Sequence, residues 1–232
     1  DVLGSRGLGD VYKRQGGFKV KDKQKAFSAK DLGFMAQSPT GLEVEIDFGP
    51  KVAAKNKVKP VSGAYALSIG TKKIKINAFD ERGAFYALQT LRQVLDSPMA
   101  KAEGGLPMME INDYPALPYR GVVEGFYGTP WSHQVRKDII NYLGRNKMNN
   151  YVYGPKDDPY HSSPNWRLPY PPQEAANIAD LVKTANENRL DFYWAIHPGK
   201  DIRWNKEDYD SLVSKFNMMY DLGVRSFALF FD

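Results

Sequence analysis

Tyr119 to Trp131 reads YRGVVEGFYGTPW, and this stretch decides the fold. Val122 and Val123 suit a strand buried on both faces, as parallel sheets require. Glu124, Phe126, Tyr127 and Trp131 then crowd polar and aromatic groups at the strand's C-terminal end. Parallel α/β folds build their binding sites at that end.

Beyond this stretch the chain alternates helix and strand. Strand one is predicted over 121–125, and Ser132 caps a helix with Val135, Ile139, Tyr142 and Leu143 on one face. Strand two is 150–153, followed by a long loop over 154–172 rich in Pro, Tyr, Asp and Ser. A second helix over 173–188 turns Ala175, Ile178, Leu181, Val182 and Ala185 inward, and strand three is 191–196. Asn205 caps a third helix, with Asp208 at a position favoured by the helix dipole. Tyr209, Leu212, Val213, Phe216 and Tyr220 are its expected buried face, Gly223 ends it, and strand four is 225–231. A spacing of roughly 30 to 40 residues per βα unit is that of a (β/α)8 TIM barrel. Four strands and three helices make its first half, so the rest of a barrel is expected outside the sequence. Periodicity alone also admits an open doubly wound sheet. Gly125-Phe126-Tyr127-Gly128, however, lacks the glycine spacing of a dinucleotide fingerprint.

Upstream, Asn112 to Pro118 is an extended boundary, because its two prolines bar a helix. Residues 16–117 read as a small α+β domain and 118–232 as the barrel half. Gly41 to Phe48 alternates apolar and acidic residues and is a half-buried strand, with further strands at 65–69, 73–78 and 107–111. Residues 51–59 are basic and loop-like. Residues 83–95 switch to helical spacing, with Asp80 as N-cap. The expected domain is a mostly antiparallel sheet with a helix on one face. Residues 1–15 have no clear period and join poorly to the rest of the chain. Ser5 to Gln15 looks like a translated sequencing adapter and is set aside.

Composition narrows the classes. With 42% hydrophobic and 25% charged residues over 232 positions, the chain is globular and long enough for two domains. The net charge of +5 has no helical basic stripe, which argues against nucleic acid. No apolar run reaches the length of a membrane span. There is no cysteine, hence no disulfide or thiol chemistry. His133, His161 and His197 show no metal spacing, so neither metal nor cofactor is expected. The oligomeric state is unreadable.

Several residues at the expected strand ends have two readings each. Asp232 is a carboxylate at a barrel mouth or the cap of a following helix. Lys156, before Asp157 and Asp158, donates to a ligand hydroxyl or belongs to a solvated turn. Gly125, Phe126 and Tyr127 line a pocket or make a tight turn.

Together YRGVVEGFYGTPW, KMNNYVYGPKDDPYH (147–161), AIHPG (195–199) and FALFFD (227–232) resemble glycoside hydrolase family 84, the β-N-acetylglucosaminidases that include bacterial O-GlcNAcase homologues. The resemblance implies removal of terminal β-linked N-acetylglucosamine from glycans or glycoproteins. It also implies substrate-assisted retention, in which the 2-acetamido oxygen displaces the leaving group and forms an oxazoline. Asp232 matches the first of two consecutive aspartates, which orients the acetamide; the second, the general acid/base, would be the next residue. Gly125 through its carbonyl and Lys156 match sugar-hydroxyl contacts, and Tyr127 matches a pocket aromatic. The chain alone, without the second aspartate, is expected to be inactive. A bacterial parent would be periplasmic or secreted. The alternatives are a related hexosaminidase with an Asp-Glu pair and a non-catalytic sugar-binding barrel.

Overall fold

The computed structural model describes residues 12–13, 16–103 and 105–231. The chain divides after Ala116 into two compact units. The first contains β1 (Tyr12–Lys13), β2 (Phe18–Asp22), α1 (Ala29–Leu32), β3 (Leu42–Phe48), α2 (Pro50–Lys55), β4 (Tyr65–Ile69) and β5 (Lys73–Ala78). It continues with α3 (Glu81–Asp96), α4 (Pro98–Glu103), β6 (Gly105–Leu106) and β7 (Met109–Asp113).

A five-stranded sheet runs in the order β2-β3-β5-β4-β7. Its β2–β3 and β3–β5 pairs are parallel, and β5–β4 and β4–β7 are antiparallel. The sheet is therefore mixed, not mostly antiparallel. The hairpin strand β5 lies between β4 and β3, and this sets it parallel to β3; the basic segment expected to be a loop holds α2, which Pro50 opens. Val44, Ile46, Leu67, Ile74 and Ile76 pack from one face against Ala84, Leu88 and Leu91 of α3. The Asp80 side chain caps α3 through the Gly83 N–H. The other face carries cross-strand ion pairs, such as Lys21–Glu43 at 2.6 Å. Of the segment set aside, Tyr12 and Lys13 pair with Leu106 and Gly105; its remainder lies outside the described residues.

The second unit contains β8 (Gly121–Glu124), α5 (His133–Arg145), β9 (Asn150–Tyr153), α6 (Pro172–Glu187), β10 (Asp191–Ile196), α7 (Lys206–Asp221) and β11 (Ser226–Leu229). All three strand pairs are parallel, in the sequential order β8-β9-β10-β11. Ser132 and Asn205 cap α5 and α7 as expected, and Gly223, at φ 100°, follows α7.

Two helix faces differ from expectation. In α5, Val135 and Tyr142 are exposed, whereas Ile140, Leu143 and Gly144 are buried. Gly144 sits so close to Asn188 that a Cβ would lie 2.4 Å from its Oδ1, and this close approach turns that face inward. In α7, Tyr209, Val213 and Tyr220 are exposed; Asp208, Lys215 and Met219 are buried, with Leu212 and Phe216 partly covered. The helix is rotated by polar anchors. Asp208 accepts from Arg167 Nη2 at 2.7 Å and Arg203 Nη2 at 2.7 Å. These two guanidinium groups hold its pKa far below the usual carboxylate range. Lys215, 0% exposed, donates to the Leu168 carbonyl and lies among Tyr160, Tyr170 and Trp194, 4.5 Å from the Tyr170 centroid.

Candidate active site

Strand alternation sorts the residues of the parallel sheet. Val122, Tyr151, Tyr153, Phe192, Trp194, Ile196 and Phe227 belong to the core that includes the helices. Val123, Gly125, Gly154, Ala195, His197 and Phe230 have the opposite parity. The C-terminal ends of the strands are tied together by backbone. Gly154 N donates to Glu124 O at 3.0 Å, Lys156 N to Phe126 O at 3.1 Å, and Phe230 N to Ile196 O at 2.8 Å. The Asp157 carboxylate accepts from Gly128 N at 2.7 Å. The glycine–aromatic corner after β8 and the lysine turn after β9 are thereby one construction.

Lys156 is 5% exposed, with Nζ 5.3 Å from the Phe230 ring centroid. Its side chain is thus packed against Phe230 and not solvated. Phe230 also lies against Gly154, where a Cβ would come within 2.7 Å of the ring. Tyr127 is 62% exposed, with Lys200 Nζ 5.6 Å from its ring centroid. At Gly125 a Cβ would meet one atom within 4 Å, Val123 Cγ1 at 3.3 Å. Trp204, at φ 57° and largely exposed, stacks on Phe231 with ring centroids 5.6 Å apart. The structure thus gathers Gly125, Tyr127 and Lys156 at one end of the sheet. Asp232 lies outside the described residues.

Glu124 lies on the helix side and is fully buried. Arg136 grips it with two bonds of 2.8 Å, Tyr151 donates its hydroxyl at 2.5 Å, and Trp131 N donates at 3.2 Å. Burial opposes the Arg136 charge, but the Glu124 carboxylate outweighs burial and holds its pKa above the ordinary guanidinium value. Burial, reinforced by Glu124, raises the pKa of Tyr151. Glu124 therefore fixes the β8–α5 corner.

Sequence reasoning assigned no role to the buried histidines. His161 Nδ1 lies 2.6 Å from Ala195 O, while Nε2 has no partner. Its ring lies parallel to that of His197, at 6.2 Å, and edge-on to Phe230. Burial lowers its pKa, so it is neutral near pH 7. The placement of His161 in KDDPYH was a local signal, but its contacts with Ala195 and His197 were not. Among the described residues no group of His, Cys, Asp and Glu is arranged to hold a metal ion. No described helix is long and apolar enough to cross a membrane.

Each unit has relatives among known proteins. Residues 120–232 match the β-N-acetylglucosaminidase family profile, and residues 8–114 match domain 2 of glycosyl hydrolase family 20. Over 113 residues the chain is 42% identical to the Protein O-GlcNAcase of Rattus norvegicus, covering 48% of this chain and 12% of that protein. Over 110 residues it is 36% identical to the N,N'-diacetylchitobiase of Vibrio harveyi, covering 47% and 12%. The solved structure of CpGH84B superposes with a TM-score of 0.76 at 38% identity, over 88% of this chain and 37% of that one. These matches are all to glycoside hydrolases. The second unit is thus similar to family 84 and O-GlcNAcase chains, and the match spans about one eighth of the curated relatives' length.

Proposed function

We propose that the protein to which this chain belongs hydrolyses terminal β-linked N-acetylglucosamine from glycoconjugates, with the substrate's acetamide as nucleophile. The observation that carries this reading is the convergence of Lys156, Gly125 and Tyr127 at the C-terminal end of the parallel sheet, with Lys156 packed on Phe230. In this reading residues 118–232 are the first half of a (β/α)8 barrel, preceded by the α+β domain of 16–117. The sequential parallel order supports the barrel, since a doubly wound sheet would reverse its strand order.

The roles follow from the chemistry. Lys156 donates to sugar hydroxyls through its ammonium, and its burial leaves few competing waters. Gly125 offers its carbonyl where little side-chain bulk intervenes. Tyr127 supplies an exposed ring against the sugar face. Asp232 accepts the acetamide N–H and aligns its oxygen with the anomeric carbon. It also stabilises the positive charge of the forming oxazoline. This requires its carboxylate on the same face as Phe230. A second carboxylic acid, following Asp232, protonates the leaving oxygen and then activates water. The family 20 match over 8–114 suits a hexosaminidase with an Asp-Glu pair. The 120–232 match weighs more, because the proposed chemistry lies there.

The test is hydrolysis of a chromogenic N-acetyl-β-glucosaminide. The 232-residue chain is expected to give no turnover above buffer, because it holds one of the two carboxylates. The product of the contiguous gene is expected to be active. Asp232→Asn should cost it on the order of a hundredfold in kcat, as removal of one oxyanion-hole donor does elsewhere. An active product indifferent to Asp232→Asn and Lys156→Met would overturn the assignment.

A further inference from the structure

Within the second unit, a cavity of about 270 Å³ opens between α5, α6 and the turn after β9. Gly125, Tyr127 and Lys156 do not line it, although Asp157 and Asp158, the next residues after Lys156, do. Its walls come entirely from described residues.

The floor is saturated. Asp158 accepts from the hydroxyls of Tyr153 at 2.6 Å and Tyr170 at 2.8 Å, and from the backbone of Tyr160 and His161. Arg136 spends Nε and Nη2 on Glu124. What remains uncommitted is chemically mixed. Arg136 Nη1 has no partner among the described residues, nor does the Tyr160 hydroxyl. Glu174 has none either, and Asp157 uses one oxygen on Gly128 N. Asn177 accepts only from Gln173, one turn earlier in the same helix. The Tyr160 ring and Ile178 supply apolar surface beside these groups.

The charge pattern selects the occupant. An anion would face the carboxylates of Asp157 and Glu174, with the one cation, Arg136, already neutralised by Glu124. An amine would pair with those carboxylates, but its N–H groups cannot accept from the guanidinium N–H donors that Arg136 leaves over. A neutral polyol meets neither conflict. Its hydroxyls accept from Arg136 and donate to Asp157, Glu174 and Asn177, while its C–H face rests on Tyr160. The volume lies just below the range of roughly 300–1,000 Å³ usual for ligand pockets. It suits a single ring.

We propose that this cavity is a second saccharide site, which takes one neutral sugar ring and lies outside the catalytic cleft. It does not depend on the catalytic reading.

The test is amide NMR of the 232-residue chain titrated with N-acetylglucosamine, glucose, spermidine or phosphate. The sugars are expected to shift the amides of Tyr160 and of Glu174 to Ile178. Glu174→Gln and Asn177→Leu, both on the helix surface, should weaken that response about tenfold. Lys156→Met should leave it unchanged. A circular dichroism spectrum like that of the parent chain qualifies each variant as folded. The proposal fails if these amides respond only to spermidine or phosphate. It also fails if no sugar shifts them, or if the response disappears in Lys156→Met and persists in Asn177→Leu. None of these outcomes bears on turnover by the longer gene product, which the chromogenic assay judges separately.

Discussion

Glu124 is a buried carboxylate held by Arg136, Tyr151 and the Trp131 N–H. Replacing it with Gln keeps its shape but leaves Arg136 buried without a counter-charge. Breaking one partner of a buried pair costs about 3–5 kcal/mol, more than an exposed pair is worth. Glu124→Gln should therefore lose roughly 3 kcal/mol in urea unfolding. Emission from the tryptophans will report this, because all four lie beyond Leu117, in the second unit. A loss below about 1 kcal/mol would mean that Arg136 finds solvent. Lys215 gives a prediction of opposite kind. Burial pushes its pKa down to about 8 from 10.5, with Asp158 opposing weakly. The unfolded chain therefore binds more protons between those values, and stability rises with pH from about 8 towards 10.5. The gain is at most about 3 kcal/mol. Above about pH 10 it meets an opposing trend, since burial keeps Tyr151, Tyr153 and Tyr170 protonated in the fold. Lys215→Met should abolish the rise in urea midpoint between about pH 8 and 9.5 while leaving the fall above about pH 10. At this scale the caps Asp80, Ser132 and Asn205 were legible, because capping is decided within three residues. Asp208 and Lys215 were not. The partner Arg167 is 41 residues from Asp208, and the acceptor Leu168 is 47 residues from Lys215.

Among the elements, the strands Tyr65–Ile69, Lys73–Ala78, Asn150–Tyr153 and Asp191–Ile196 were legible to the residue, since alternation or a short apolar run bounded by turns fixes them. Phe18–Asp22 was missed beside the segment set aside, and Pro50–Lys55 was hidden by its lysines. The parallel pairing of β3 with β5 was hidden too, because nothing local says that the hairpin β4–β5 docks with β5 beside β3. The faces of α5 and α7 were misjudged for a related reason: hydrophobic spacing finds a stripe, but close packing and ion pairs rotate it. Gly83 tests how such forces compete. In a helix interior Ala is favoured over Gly by about 1 kcal/mol. A Cβ at Gly83 would lie 2.3 Å from the Ala64 carbonyl oxygen, and backbone cannot swing aside. Overpacking of this kind costs about 1–3 kcal/mol and should prevail. Gly83→Ala is expected to lower the thermal midpoint of the first unit by several degrees. An unchanged or raised midpoint would show that α3 can slide away from β4.

For the molecule as a whole, each unit has its own buried cluster: Val44, Ile46, Leu67 and Leu88 in one, Tyr151, Leu181 and Trp194 in the other. A polypeptide of residues 16–116 should accordingly unfold in urea as a single cooperative transition seen by far-ultraviolet circular dichroism. A featureless, non-cooperative curve would mean that its cluster needs the remaining chain. The α/β class was legible from the switch between periods of 2 and 3.6. The mixed pairing of the first sheet was not, because register and direction are properties of contacts between distant segments.

The stacked pair Trp204–Phe231 has a practical consequence. Trp166 and Trp194 are sealed from solvent, whereas Trp204 is 76% exposed. Dissolved iodide should therefore extinguish the light of Trp204 and spare those two. Phe231 lies beside Gly199 at the same end of the sheet. The quenchable fraction thus becomes an optical gauge of whatever later covers that end, whether added polypeptide or bound glycan.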